Sequence, residues 1–466
     1  MNIFRKDWEE WIDLNLSKGN CKNIMFEKLL EEGYEYNLIK NKLKIDYLIE
    51  DKNNNKIALR NAVKLNAKNL EIYEIENFLT KEECLEIISL INNSKLNDSS
   101  TINANDTLNY KVNDYRTSKT CYFNNDDHDN NHLMKEIESR ICKTIGINNR
   151  FAEPIQGQKY TIGQEFKIHT DYFDPAVLES NKSIRGQRTW TFMIYLNDHT
   201  DGVDGNDSLE GGYTSFPYAN ISKKPQTGSA LIWYNLNSNK KDKKENIFSS
   251  HCGLPIIKGE KYVLTKWFKD QEINFTIPNE INEHHFLPIF HKIGFEKVKL
   301  QLDCIDKIKE WMNENETKFI KENLIVNINE IEKNMISNLL DINQAPKELL
   351  AELIKEMNIR LTKWIDYKSF LKHTATYGIR EYKQGSRLKN HYDKKESHII
   401  SAIIHLEADK PWNLYIEDHN FKPHNITMEY GDVVFYESTT CLHGRPSIFE
   451  GTSYKNMYIH FATTTF

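Results

Sequence analysis

The chain has 466 residues, 39% hydrophobic and 27% charged, with a formal net charge of −6. That length exceeds one ordinary core and predicts two or three domains. The negative balance and a pI of about 6.3 argue against a general nucleic-acid binder, and no run of 18 apolar residues is present to span a membrane.

Residues 1–66 read as a small helical segment, because Trp8, Trp11 and Ile12 fall at i, i+3, i+4 and Phe26, Leu29 and Leu30 repeat that spacing. The polar start, Met1 to Trp8, lacks a secretory core, and the seven cysteines (Cys21, Cys84, Cys121, Cys142, Cys252, Cys304, Cys441) form no C-x-x-C pair. Both features predict a cytoplasmic chain whose thiols stay reduced and pack as small hydrophobes. Leu70–Leu79 alternates as a strand, and Thr80-Lys-Glu-Glu83 has the spacing of a capping box that opens a helix. The Asn- and Asp-rich stretch 97–114 reads as a loop. Strands are expected at 188–196, 211–216, 229–234 and 262–268, which completes a unit over 67–275. Residues 270–284 read as a linker. A second unit, 285–466, opens with helices around Ile305–Met312 and Leu349–Ile354, followed by strands at 398–406, 413–417, 426–437 and 454–461. The expected class is α+β, with each unit's short strands forming a sandwich or jelly roll.

One pattern occurs twice. Tyr160, Gly163, Lys167, His169 and Asp171 recur in register as Tyr382, Gly385, Lys389, His391 and Asp393, 222 residues later. His251 precedes Gly259 and Tyr262 by the same steps by which His443 precedes Gly451 and Tyr454. Two imidazoles and a carboxylate, two of them from one strand and one from a later strand, form the donor set that holds a non-haem Fe(II) with open positions. Period-two alternation puts His169 and Asp171 on one strand face. The third His-x-Asp, His199-Thr-Asp201, has no partner in the second half. The loop Asp198–Asp207 is therefore read as a solvated turn; it also fails the calcium-loop spacing. Only 52 residues separate His391 from His443, against 82 between His169 and His251, which predicts insertions in the first unit near 174–187 and 199–210. Lys261, entering the strand after His251, is placed to pair with a carboxylate-bearing cosubstrate. Tyr160 precedes the first ligand by nine residues and differs from it in parity, so periodicity leaves its aim open.

The ordered series Asn77–Cys84, Arg116-Thr-Ser118, Tyr160-x-x-Gly-Gln164, His169-x-Asp-Tyr-Phe173, Tyr195-Leu-Asn197, Gly211–Pro217 and His251 through Lys261 to Trp267 closely resembles the prolyl 4-hydroxylase branch of the Fe(II)- and 2-oxoglutarate-dependent dioxygenases. The resemblance implies a double-stranded β-helix core, with His169, Asp171 and His251 on iron. It implies Lys261 on the distal carboxylate of 2-oxoglutarate with Tyr160 and Thr214 beside it, and Arg188 near a peptide-binding face. It implies O2 as co-reactant, release of succinate and CO2, ascorbate as an accessory, and a proline-containing peptide or protein as partner. The second unit resembles a more distant relative through Tyr377–Arg380, His391-Tyr-Asp393, Tyr436-Glu-Ser438 and His443–Pro446. This implies tandem jelly rolls, with His391, Asp393 and His443 as a second ligand set. Counting ten residues on from the distal histidine puts Ser453 where the first unit has Lys261, so Arg445 and Lys455 become the alternative cations. Three readings follow: a peptidyl-proline hydroxylase, a hydroxylase of another peptidyl side chain or small molecule, and an oxygenase whose second unit only binds or presents substrate.

Overall fold

A computed structural model gives the fold and describes residues 3–17, 25, 28–29, 32, 34, 36–43, 57–101, 111–112, 115–123, 132–180, 185–199, 208–237, 244–273, 280–322 and 335–463. Phe26, Leu30, Cys21, most of the Asp198–Asp207 turn and the middle of the 97–114 stretch lie outside these residues. The chain forms two compact units, Met1–Ile281 and Asn282–Phe466. No helix among the described residues is long and apolar enough to cross a membrane.

In the first unit, α1 (Lys6–Ser17) and α2 (Tyr36–Leu43) share a small core of Phe4, Ile12, Met25, Leu29, Tyr34, Ile39 and Leu43, with Trp8 and Trp11 at its edge. Helix does not fill the whole N-terminal segment, because Val63–Lys64 is already strand β1. β1 heads an eight-stranded antiparallel sheet. It continues through β2 (Ile72–Ile75), β13 (Ala230–Tyr234), β9 (Arg188–Tyr195), β16 (Lys261–Lys269), β7 (Ile155–Tyr160), β6 (Lys119–Phe123) and β3 (Asn97–Asp98). A four-stranded sheet runs β12 (Ile221–Lys223), β11 (Thr214–Phe216), β14 (His251–Gly253) and β8 (Phe166–His169). Two ribbons complete the unit, β4 (Ser100–Thr101) with β5 (Lys111–Val112) and β10 (Glu210–Gly211) with β15 (Ile256–Lys258). The expected loop 97–114 therefore carries three short strands, and the expected strand 211–216 is two strands in different sheets.

Side-chain alternation sorts this unit into two cores. Phe192, Ile194 and Leu264 face the helices α3 (Lys81–Asn93) and α4 (His132–Ile145) and pack on Ile87, Ile91, Ile137 and Ile141. Met193, Tyr195 and Val263 point the other way and pack on Phe216 and Trp233, between the two sheets. α3 starts at a complete capping box. Glu83 N donates to Thr80 Oγ1 at 3.2 Å, and Thr80 N donates to Glu83 Oε2 at 2.8 Å. A short helix α5 (Pro175–Ser180) lies in the β8–β9 insertion. A further insertion, which the sequence reading did not place, lengthens the path from β13 to His251. The start of the expected linker is bound in: Asp270 N donates to Gln187 O and Ile273 N to Arg150 O.

The second unit repeats the strand order. Its larger sheet runs β17 (Phe295–Lys299), β26 (Asp432–Tyr436), β23 (Ile400–Ala408), β28 (Tyr454–Thr463), β21 (Gly378–Tyr382), β19 (Ser337–Asp341) and β18 (Ile320–Lys321), with β20 (Leu371–Ala375) also on β28. Its smaller sheet runs β25 (Pro423–Ile426), β24 (Leu414–Glu417), β27 (His443–Arg445) and β22 (Leu388–His391). The expected strand 426–437 is thus two strands, one in each sheet. Helices α6 (Asp303–Glu314) and α7 (Lys347–Trp364) cover the larger sheet through Ile308, Met312, Leu353 and Met357, against Ile400, Ile404 and Met457.

Candidate active site

β8 and β14 lie side by side with His169 opposite His251. β8 ends at His169, so Asp171 comes from the bend after it rather than from the strand. It still returns to the histidines, with His251 Nε2 3.9 Å from Asp171 Oδ2 and the two imidazole centroids 4.2 Å apart. One donor atom from each of the three residues lies within 4.8 Å of the others. His169 Nδ1 lies 2.8 Å from Lys167 O, and His251 Nδ1 lies 2.9 Å from Ser249 O. A backbone carbonyl only accepts, so each Nδ1 carries the proton and each Nε2 keeps its lone pair, the form a metal requires. Burial pushes the His169 imidazolium well down, with the neighbouring His251 adding to the effect. Burial opposes ionisation of Asp171. The His251 and His169 imidazoles, the Arg188 charge and a bond from Thr191 outweigh it and hold the carboxyl low. Neutral imidazoles and an ionised carboxylate are the ligand-ready states, and this donor set fits Fe(II).

The sequence reading missed Thr191. Its Oγ1 donates to Asp171 Oδ2 at 2.7 Å and accepts from Asn235 Nδ2 at 2.9 Å, which fixes the carboxylate from behind. Its only signal was position: on β9 it shares the inward parity of Met193.

The triad lines an open cavity with about 450 Å³ of empty volume, together with Arg116, Tyr160, Thr214, Trp233, Lys261 and Trp267. Tyr160 gets there because Gly163, at φ +78°, turns the chain after β7, so its strand differs from that of the histidine and parity along the sequence does not decide its direction. Tyr160 lies directly opposite Lys261. Lys261 is buried and donates to Gly212 O at 2.6 Å, with its ammonium 5.7 Å and 5.4 Å from the Tyr160 and Tyr195 rings. Burial pushes its pKa down to about 7, and no acid among the described residues pairs with it. Arg188 is not in the lining. It makes a bidentate pair with Glu153 (2.8 and 2.7 Å) and lies 3.9 Å over the Trp267 ring, so it braces the cavity wall through that tryptophan.

In the second unit His391 lies opposite His443. His391 Nε2 is 3.5 Å and His443 Nε2 3.9 Å from Asp393 Oδ1, and each Nδ1 meets a backbone oxygen, Lys389 O at 2.9 Å and Cys441 O at 3.0 Å. Burial lowers His443 to about 4. Burial opposes ionisation of Asp393, but the surrounding His391, His443 and His460 imidazoles hold its carboxyl low.

Two second-unit expectations are corrected by strand register. Tyr454, not Ser453, lies opposite Tyr382, as Lys261 lies opposite Tyr160. The connection after His443 is one residue longer than that after His251. A one-residue slip turns every side chain to the other face. Lys455 therefore points away from the triad and is engaged by Glu407 at 3.1 Å and Glu316 at 3.4 Å. Arg445 stays on the His443 side, fully buried.

The profile of the 2OG-Fe(II) oxygenase superfamily matches residues 155–269. Probable prolyl 4-hydroxylase 8 of Arabidopsis thaliana is 33% identical over 218 residues, 42% of this chain and 68% of that protein. Prolyl 4-hydroxylase 5 of the same plant is 32% identical over 206 residues, 42% of this chain and 67% of that protein. Among solved structures, a viral collagen prolyl hydroxylase from Paramecium bursaria Chlorella virus-1, in complex with 2OG, is 22% identical with a TM-score of 0.30, over 43% of this chain and 95% of that one. The matched stretch encloses His169, Asp171, His251 and Lys261, and the chain belongs to the 2OG-Fe(II) oxygenase superfamily as a 2-oxoglutarate-dependent dioxygenase of the prolyl 4-hydroxylase family.

Proposed function

We propose that the first unit hydroxylates proline in a peptide or protein substrate. The observation that carries this is one cavity holding both the His169, Asp171 and His251 donor set and a buried, acid-free Lys261, in a chain whose relatives are named as prolyl 4-hydroxylases. Fe(II) with 2-oxoglutarate and O2 supplies the oxidising chemistry: the cosubstrate leaves as succinate and CO2, and one oxygen atom enters a C–H bond of the substrate. The protein's own groups do the rest. His169, Asp171 and His251 hold the metal, with protons fixed on Nδ1 so that both Nε2 atoms stay available. Lys261 takes the distal carboxylate of the keto acid and regains its charge there, beside Tyr160 and Thr214. This fixes which end of the cosubstrate meets the metal. Trp267, held by Arg188, offers an aromatic wall of the cavity to the proline ring. The burial of Lys261, Thr214 and Asp171 keeps bulk water from the reacting groups.

The second unit is read as a second, divergent oxygenase module, from the repeated strand order and the repeated facing of two histidines. Purified protein with Fe(II), 2-oxoglutarate and a panel of proline-containing peptides tests both readings by mass spectrometry. Gain of one oxygen atom on proline, lost in His169→Ala and kept in His391→Ala, is expected. Oxygen gained only on another residue type would replace the proline reading with the broader hydroxylase one.

A further inference from the structure

Arg445 is fully buried, yet no acid among the described residues pairs with it. Its guanidinium lies 5.1 Å from the Trp412 ring and 4.6 Å from the Tyr454 ring. Its polar partners are all neutral: Nη1 donates to Trp412 O, and Nη2 lies 3.9 Å from Met428 Sδ. With the Asn456 amide turned to donate to His405, the Asn456 oxygen accepts from Nη2 at 3.2 Å. A buried cation satisfied only by dipoles and ring faces is costly unless an anion joins it.

The location is informative. In the first unit the Lys261 ammonium bonds the carbonyl of Gly212, two residues before β11. In the second, the Arg445 guanidinium bonds the carbonyl of Trp412, two residues before β24. β11 and β24 hold the same place in their sheets, each beside the strand of the distal histidine. The two cations therefore reach the corresponding carbonyl from different strands. Lys261 comes from β16, where the second unit has Tyr454. Arg445 comes from β27, where the first unit has Gly253, itself part of the cavity wall. Lysine has become tyrosine on a strand of the larger sheet and glycine has become arginine on a strand of the smaller one, and a cation still meets the corresponding carbonyl.

We propose that Arg445 is the carboxylate anchor of a second keto-acid site in this chain, for a ligand with a distal carboxylate whose other end chelates metal at His391, Asp393 and His443. The planar guanidinium offers a carboxylate two parallel N–H bonds. Arg445 is two residues from His443 on one strand, which puts both on the same interior face. The proposal rests on the reading of His391, Asp393 and His443 as a metal site.

The test uses the full chain carrying His169→Ala, so that the first site is silent. The protein is loaded with Fe(II) without oxygen and titrated with 2-oxoglutarate. Iron content is measured alongside the visible charge-transfer band of a keto acid chelating Fe(II). Iron is expected to remain, with a saturable band. Adding Arg445→Met should raise the half-saturating concentration about a hundredfold, the order expected for losing one partner of a buried charge pair. Iron content, and the response to pyruvate, which has no distal carboxylate, should not change. Arg445→Gly with Tyr454→Lys, which moves the cation back to the first unit's strand, should recover at least about tenfold. If Arg445→Met does not fold, Arg445→Lys, with the charge kept but the fork lost, should bind 2-oxoglutarate several-fold more weakly. Unchanged 2-oxoglutarate affinity in these Arg445 variants, with iron retained, overturns the anchor and leaves the metal reading standing. Iron absent from His169→Ala, and undiminished in His391→Ala, overturns the metal reading itself.

Discussion

The two donor clusters of this chain agree in their ligands and diverge in what surrounds them. Around the donor set, both pair a histidine on one strand with a histidine on the next and tie each Nδ1 to a carbonyl. Away from it, the position opposite Thr191 on the neighbouring strand is Trp267 in the first unit, and the position opposite Ser401 is His460 in the second. Three residues before Thr191 stands Arg188, stacked on Trp267. Three before Ser401 stands His398, whose ring lies 3.9 Å from that of His460. An arginine on a tryptophan has become an imidazole on an imidazole, with Tyr377 bonded to His398 at 3.2 Å. Metal coordination tolerates few donor sets, whereas the walls around it are shaped by whatever must enter. The difference teaches that two units with the same arrangement of donors surround it with different side chains.

The strongest way to break this comparison is to remove one metal ligand at a time. His169→Ala should lower proline hydroxylation by more than the roughly 10–100-fold that losing an outer-sphere partner costs, while His391→Ala leaves it unchanged; product mass spectrometry reads both. Equal losses in the two variants would mean that the two sites do not work separately.

Removing the first unit's anchor is next. Lys261→Met should raise the 2-oxoglutarate KM for peptide hydroxylation about a hundredfold, with the peptide KM little changed. The matching change at Arg445 should leave that KM alone.

The first unit's anchor also titrates. Burial lowers free Lys261 to about 7, and a bound carboxylate restores its charge, so keto-acid binding takes up a proton above that pH. First-site affinity should be flat below about 7 and fall as pH rises beyond it, by up to about tenfold per unit. Titration with 2-oxoglutarate across pH in His391→Ala measures the slope.

The last comparison concerns the carboxylates. Thr191→Val removes the 2.7 Å bond to Asp171 and should weaken first-site metal binding by roughly 10–100-fold. Ser401, at the corresponding register, bonds Ser438 and His460 instead, both at 2.8 Å, so Ser401→Ala should change second-site metal affinity less. Metal titration of each variant decides the order.

Much of the site was legible because its signals are local. Gly163 and Gly385 recur for a reason the structure makes plain: both sit at positive φ, +78° and +87°, in the turn that separates Tyr160 and Tyr382 from the histidine strands. The capping box at Thr80 and Glu83 formed as its spacing predicts. Lys167 and Lys389 recur beside them, and their carbonyls receive the Nδ1 protons of His169 and His391.

What sequence alone pointed to was the donor set, through the recurrence of His-x-Asp and a later histidine; the pairing of β8 with β14 and the bend after β8 bring the three residues together. What only the tertiary structure decided was which charge faces inward. One added residue before β28 turned Lys455 to the outer face and put Tyr454 at the anchor position, and strand pairing brought Arg445 to the carbonyl of a residue 33 positions away. The pairing of Arg188 with Glu153, and of Thr191 with Asp171, likewise joins residues whose nearness comes from sheet register. Register is fixed by the burial of whole strand faces, a property of the assembled sheet that no short stretch of chain carries.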